Sequence, residues 1–347
     1  MNITRSTPNM DFLKQIIKDS KNEYATVASD GIAAGDVESF VDTGSHIFNA
    51  LVSGSIVGGI PSNKITALAG ETGTGKTFFC LSIAKNFLET NPDAGVLYFE
   101  TESAISKEMV ETRGIDSKRL VIFPINTIEE FRTQAVRVLD KYLEQPKDER
   151  KPLMFVLDSL GMLATNKEVE DASNEKNVRD MTKAQLVKSC FRILTLKLGK
   201  ANIPMLVTNH TYDVIGSYVP AKEMGGGSGL KYSASTIVYL SKKKEKEGTD
   251  LVGNIIKCEA KKSRLTREGS KIETRLFFDS RGLDRYYGLL ELGEMGGLWK
   301  NVAGRYEIGG KKIYAKQILS DPDTYFTPDV IQALEETANK VFHYGEG

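Results

Sequence analysis

The sequence predicts an α/β fold: a mostly parallel sheet with helices on both faces, an antiparallel edge, an N-terminal arm and a small α+β domain at the C-terminal end. Three observations carry this. Short apolar runs of β type recur at Ile65–Ala69, Gly95–Phe99, Arg119–Phe123, Leu153–Leu157 and Pro204–Thr208. Between them TFFCLSIAKNFL and EEFRTQAVRVLDKYL carry apolar residues at three- and four-residue spacing, and Asn177–Lys200 reads the same way, as core-facing helices do. Strand–helix–strand alternation of this kind argues a parallel sheet covered on both sides. Third, two more strand-like runs, TIVYL (Thr236–Leu240) and ETRLFF (Glu273–Phe278), follow in a basic context that looks antiparallel, which predicts a sheet mixed at one edge.

The flanks differ in texture. Residues 1–44 are polar, with an amphipathic FLKQIIKD and then a Gly/Ala/Asp-rich stretch, so this arm is either loose or docked on something else. Residues 45–284 hold the alternating core. Residues 285–347 read as the small α+β domain, whose last helix begins after Thr327 with Pro328 at its first position.

Composition bounds the function. In 347 residues, 46 Lys plus Arg balance 46 Asp plus Glu, so no overall field attracts nucleic acid or anionic lipid, and any such site is local. The content of 40% hydrophobic and 27% charged residues is that of a globular protein. Three scattered cysteines form neither a disulfide framework nor a metal pair, and the three histidines are too far apart in sequence to form a metal cage by spacing. No run of 18 apolar residues occurs and Met1–Phe12 has no signal-peptide pattern, so the expectation is a cytoplasmic protein without a membrane partner.

The strongest motif is GETGTGKT, residues Gly70, Glu71, Thr72, Gly73, Thr74, Gly75, Lys76 and Thr77, set between a predicted strand and a predicted helix. Such a loop curls its backbone amides and the helix N-terminus around a phosphate chain. Lys76 would reach the β- and γ-phosphates of ATP, and Thr77 would place its hydroxyl on Mg2+. LMFVLDS ends a buried strand in Asp158 and Ser159, and Asp158 can hold the magnesium through water. GVLYFETE ends in Glu100 and Glu102. By strand alternation both carboxylates face one cleft, and one of them can deprotonate the attacking water. TNHTY ends a strand in Asn209 and His210, placed to sense the γ-phosphate.

From Thr211 to Gly229 no element is recognisable, and a long glycine-rich segment in a compact domain is functional or disordered. Tyr212, Tyr218 and Lys222, with Lys231 just after and the glycines Gly225, Gly226 and Gly227 between them, offer apolar or stacking surface and charge suited to a nucleic-acid strand. KKSRLTREGSKIETR (Lys261–Arg275) sets six cations against two carboxylates, a net of +4 in a chain that nets zero.

The stretch VDTGSHIFNALVSGSIVGGIPSNKITALAGETGTGKT resembles the start of the ATPase core of RecA-type recombinases. FETES, VLDSLGMLA, TNHTY and GGGSGLKYSAS, in this order, look most like the phage UvsX branch, and the resemblance spans about residues 41–290. It implies a RecA-like P-loop ATPase core and an N-terminal oligomerisation arm. The implied protein is an ATP-hydrolysing, DNA-dependent strand-exchange recombinase that forms helical filaments of itself on single-stranded DNA and pairs it with duplex DNA. A single-strand-binding protein and a loading mediator are implied partners, and the host cytoplasm is the implied location. Carried over by residue, Glu102 becomes the catalytic glutamate, Lys76 and His210 assist it, and Asn209 and His210 form the switch. Lys262 and Arg264 reach ATP on the adjacent subunit. Lys167–Arg179 and Thr211–Gly229 become the two DNA loops. Cellular RecA proteins usually carry Gln at the position of His210, and Met109 stands where a Tyr often stacks on adenine.

Two other readings fit the phosphate loop: a ring helicase motor with the same core, and a nucleotide-gated scaffold that binds protein and not DNA. About 44 residues before the core leave little room for helicase machinery, and the +4 segment weighs against the scaffold.

Overall fold

The computed structural model describes residues 10–32, 34–174, 182–213, 222–225, 228–247 and 250–345. Helix α1 (Met10–Ser20) opens the arm. Strand β1 (Phe40–Val41) then pairs antiparallel with β2 (Ile60–Pro61) across α2 (His46–Ser53). The α/β core follows as β3 (Ile65–Gly70), α3 (Lys76–Thr90), β4 (Gly95–Glu100), α4 (Lys107–Thr112), β5 (Leu120–Pro124), α5 (Ile128–Glu144), β6 (Leu153–Asp158), α6 (Asn166–Ser173), α7 (Lys183–Ala201) and β7 (Met205–Asp213). After β8 (Lys222–Met224) and α8 (Ser228–Ser233) come three long strands, β9 (Thr236–Glu247), β10 (Asp250–Ser263) and β11 (Lys271–Phe277). The C-terminal part contains α9 (Leu289–Met295), β12 (Lys300–Val302), β13 (Arg305–Ile308), β14 (Lys311–Tyr314), α10 (Ala315–Ser320), α11 (Pro322–Tyr325) and α12 (Pro328–Phe342).

The main sheet runs β11-β10-β9-β3-β7-β6-β4-β5, and β8 pairs with β7. Strands β9, β3, β7, β6, β4 and β5 are parallel, whereas β10 and β11 add in antiparallel fashion. Alternation along the strands sends side chains to two cores. Leu68, Val96, Tyr98, Met154, Val156 and Leu206 pack with α2, α3 and the C-terminal elements, where Phe48, Phe79, Trp299 and Phe342 are buried. Ala67, Phe99, Phe155, Leu157 and Val207 pack on the opposite face with Phe131 of α5 and Phe191 of α7. The predicted two-faced parallel sheet with an antiparallel edge is therefore present.

Three expectations change. The longest strand among the described residues, β10, lies where no strand was predicted, although Ile256, Cys258 and Ala260 alternate with Lys257, Glu259 and Lys261. Thr211–Gly229 is not without structure: β7 continues to Asp213 and pairs with β8 through Thr211 and Met224, Tyr212 and Glu223, and Asp213 and Lys222. Helix α7 begins at Lys183, and the predicted start at Asn177 lies outside the described residues, as do Tyr218, Gly226, Gly227 and 175–179 of the first candidate DNA loop.

The three thiols, Cys80, Cys190 and Cys258, are buried and unpaired. Among the described residues no helix is long and apolar enough to cross a membrane.

Candidate active site

Most of the candidate residues gather toward one end of the parallel strands. Gly70 closes β3, and a Cβ there would lie 2.7 Å from the Leu240 carbonyl oxygen, so the loop leaves the sheet through a gap that only glycine fits. Gly73 and Gly75 have φ of 70° and 103°, the left-handed turns that curl the loop into the start of α3. Thr74 Oγ1 braces the curl by donating to the Glu71 carbonyl at 2.7 Å. Lys76 is buried, and its ammonium donates to the carbonyls of Gly70 and Glu71 at 2.9 and 3.0 Å. Burial pulls its pKa down, against the pull of Asp158 and Glu102. Lys242 of β9 donates to the Gly73 carbonyl from outside. Glu71, Thr72, Thr74 and Lys242 also line a cavity of about 1100 Å3 that continues across the antiparallel strands.

Asp158, at the end of β6, accepts three hydroxyls. Thr77 Oγ1 and the Tyr98 phenol reach Oδ2 at 2.7 and 2.8 Å, and Thr208 Oγ1 reaches Oδ1. Burial pushes the Tyr98 phenol far above its ordinary range, so it remains a donor. No cluster of three or more His, Cys, Asp or Glu suited to a metal occurs among the described residues. The peptide bond from Asp158 to Ser159 is cis.

Glu100 and Glu102 do not face one cleft, which corrects the alternation argument. Strand β4 ends at Glu100 and the chain turns, with Ser103 at φ 53°, so the period of two stops there. The Glu100 carboxylate is buried and accepts the backbone N–H groups of Glu102, Ser103 and Ala104 at 3.0, 2.8 and 2.9 Å. Glu102 instead projects to the site. Its Oε1 accepts the Ser159 hydroxyl at 2.9 Å and lies 3.6 Å from His210 Nε2.

Asn209 is fully buried in the middle of β7, level with Ala69 of β3. Its Nδ2 donates to the Gly225 carbonyl at 2.8 Å, and the Gly225 N–H returns a bond to the His210 carbonyl at 3.0 Å. The residues beside Glu102 are thus tied to the β7–β8 hairpin. On that hairpin Tyr212 is exposed, Lys222 pairs with Glu71 of the phosphate loop, and Lys231 on α8 lies 3.4 Å from Glu223.

Lys262 and Arg264 are elsewhere. Lys262 sits opposite Ile237, which is level with Ala67, three residues short of Gly70, or roughly 10 Å along the strands. Its ammonium donates to the carbonyls of Lys231, Tyr232 and Ala234 at the end of α8, at 2.6, 3.3 and 2.8 Å. Arg264 NH2 reaches the Tyr232 carbonyl at 3.4 Å. The +4 segment is also less open than its count suggests: Lys261 and Lys271 pair with Glu259, and Arg275 with Asp284 and Glu245. Met109 packs half-buried against the core from α4.

Sequence reasoning missed Tyr98, Thr208 and the role of Ser159. A buried strand Tyr carries no local signal, but Thr208 could have been found, since it ends the apolar run next to Asn209.

The chain matches the RecA N-terminal domain family over residues 12–284. It is 36% identical over 267 residues to the "Recombination and repair protein" of Enterobacteria phage T4, covering 77% of this chain and 66% of that protein. It is 24% identical over 288 residues to "Protein RecA" of Streptomyces rimosus (81% and 72% of the two chains) and over 275 residues to that of Clavibacter michiganensis subsp. michiganensis (77% and 72%). This chain therefore spans just under two thirds of the phage relative's length and somewhat more of the cellular ones. With the match running through the phosphate loop, both strand-end acids and the Asn209–His210 pair of β7, the chain belongs to the RecA N-terminal domain family.

Proposed function

We propose that this protein is an ATP-dependent DNA strand-exchange recombinase, a DNA-dependent ATPase that assembles on single-stranded DNA and pairs it with a homologous duplex. The observation that carries the reading is the path from Thr77 to Asp158, along the backbone to Ser159, and on through Glu102 and His210 to Asn209 and Gly225. One connected set touches both a phosphate loop and a hairpin suited to DNA.

The residues fit ATP and Mg2+. The loop curls at Gly73 and Gly75, and among the described residues the Lys76 ammonium is bonded to backbone carbonyls and to no carboxylate that would compete with a phosphate. Magnesium, when bound, neutralises phosphate charge and polarises the γ-phosphate. Thr77 Oγ1 directs its proton to Asp158, which leaves its lone pairs for the ion, so Asp158 acts at one remove. Glu102 takes a proton from water at its carboxylate, held by Ser159 and flanked by His210.

Lys262 and Arg264 lie too far along the sheet to serve this chain's own loop, which supports their reaching ATP on a neighbouring subunit in a filament. The arm, residues 1–44, would dock on that neighbour. Tyr212, Tyr218, Lys222, Gly225, Gly226, Gly227 and Lys231 would hold DNA by stacking and charge. A single-strand-binding protein and a loading mediator would assist in the host cytoplasm.

The test is ATP hydrolysis to ADP and phosphate with and without single-stranded DNA, alongside electron microscopy of the same mixture. Stimulation by DNA together with helical filaments is the expected result. Closed rings would move the reading to a helicase motor, and DNA-independent turnover would move it to a scaffold.

A further inference from the structure

We infer that Tyr98 is a positioning residue for magnesium: with Thr208 it clamps Asp158 so that the carboxylate can only orient the Thr77 hydroxyl and cannot turn to take the ion itself. This rests on the nucleotide reading of the site above.

Three features carry it. First, a carboxylate can accept about four hydrogen bonds, and here three are taken by hydroxyls from three different elements, β4, α3 and β7. Tyr98 and Thr208 grip opposite oxygens, so rotation of the carboxyl plane would break one bond or both. Second, Tyr98 is a fully buried aromatic whose ring belongs to the core of α2 and α3, so its oxygen is held by packing and not by a flexible stem. Third, Thr77 has a single proton. With that proton committed to Oδ2, the oxygen lone pairs are available to a cation at the start of α3. The phenol is fully buried and bonded to Asp158, so it acts through that carboxylate. Outer-shell partners of this kind set metal affinity by roughly 10–100-fold.

Tyr98→Phe removes one oxygen and keeps the ring. The measurement is binding of a fluorescent ADP analogue over a magnesium titration and in EDTA, with thermal unfolding in parallel. The expected result is a magnesium midpoint raised about tenfold, with affinity in EDTA and the unfolding transition close to wild type. Thr208→Val, which removes the opposite grip, should raise the midpoint likewise, and Thr208→Ser should hold it at the wild-type value. Thr208→Val decides the matter if Tyr98→Phe fails to fold. A midpoint unmoved by removal of either hydroxyl overturns the inference, as does an affinity loss of equal size with and without magnesium, which marks a merely structural role. A wild-type chain that binds no ADP at any magnesium concentration overturns the nucleotide reading itself.

Discussion

Glu100 and Asp158 stand side by side in the register of β4 and β6, both ending buried strands and both 6% exposed. Their partners could hardly differ more. Glu100 accepts three backbone amides from the turn that follows its own strand, whereas Asp158 accepts three hydroxyls from other elements. Burial and position at a strand end therefore do not decide what an acid does; the donors do. A carboxylate committed to amides fixes a turn, and what it fixes here is the path that delivers Glu102 to the site. A carboxylate held by hydroxyls leaves one of them, Thr77, with lone pairs facing the phosphate loop.

The sharpest way to break the comparison is to neutralise both members of the GVLYFETE pair. Glu102→Gln should lower DNA-stimulated turnover by about 100-fold or more while nucleotide binding persists, because only the proton acceptor is lost. If Glu100→Gln, in protein shown to be folded, gave that phenotype and Glu102→Gln did not, the assignment would be reversed.

Glu100→Gln should register in stability instead. An amide presents one acceptor oxygen and turns an NH2 toward the N–H groups of Glu102, Ser103 and Ala104, leaving donors unmet at a cost of about 2 kcal/mol. Chemical denaturation read by circular dichroism checks this, and an unchanged midpoint would contradict it.

Glu71 extends the comparison to an exposed acid, paired with Lys222 across the loop and the hairpin. Exposed pairs contribute little, about 1 kcal/mol at most. Glu71→Gln should thus release Lys222 for DNA phosphate and raise nucleotide-free affinity for single-stranded DNA by no more than about fivefold. Replacing Lys222 and Lys231 by Ala should weaken binding and flatten log affinity against log salt by roughly one unit for each DNA phosphate left without its cation. An unaltered slope would shift DNA binding to Lys261–Arg275.

The smallest effect isolates burial on a group with one backbone partner. His46, in α2, hydrogen-bonds the Ile56 carbonyl through Nδ1 at 2.8 Å, and burial lowers its pKa below the ordinary 6.5. The unfolded chain therefore takes up a proton before the folded one does. Stability from this group is complete above about pH 6.5 and is lost as pH falls through the lower, folded value. His46→Gln should flatten part of the acid-side decline in the unfolding midpoint, and identical pH profiles would refute it.

How much of this was legible follows from where each signal resides. GETGTGKT, the apolar runs and the strand-end acids are local, so the loop between strand and helix, the mostly parallel sheet and the strand-end position of Asp158 could be read directly. Glu100 and Glu102 could not be told apart, because the turn that separates them is made by backbone amides that any sequence possesses. Strand β10 was passed over although its inward residues, Ile256, Cys258 and Ala260, alternate with Lys257, Glu259 and Lys261 at a strand's period, because its C-terminal end runs into the basic segment from Lys261 and drew a reading of charge instead. Thr208 is marked by its place beside Asn209, but that Tyr98 and Thr208 share Asp158 emerges only when three strands lie side by side, which is a property of register and not of spacing.

The enclosure of Cys80, Cys190 and Cys258 has a practical side. Burial raises all three thiols, Cys190 to about 12 and the others well above their usual range, so none presents a reactive thiolate to aqueous reagents. A maleimide dye offered to the native chain should find no partner. One cysteine introduced at exposed Phe12 on α1 would then be the sole point of attachment, and its emission would report directly on whether the arm remains in water or becomes covered when nucleotide and DNA are added.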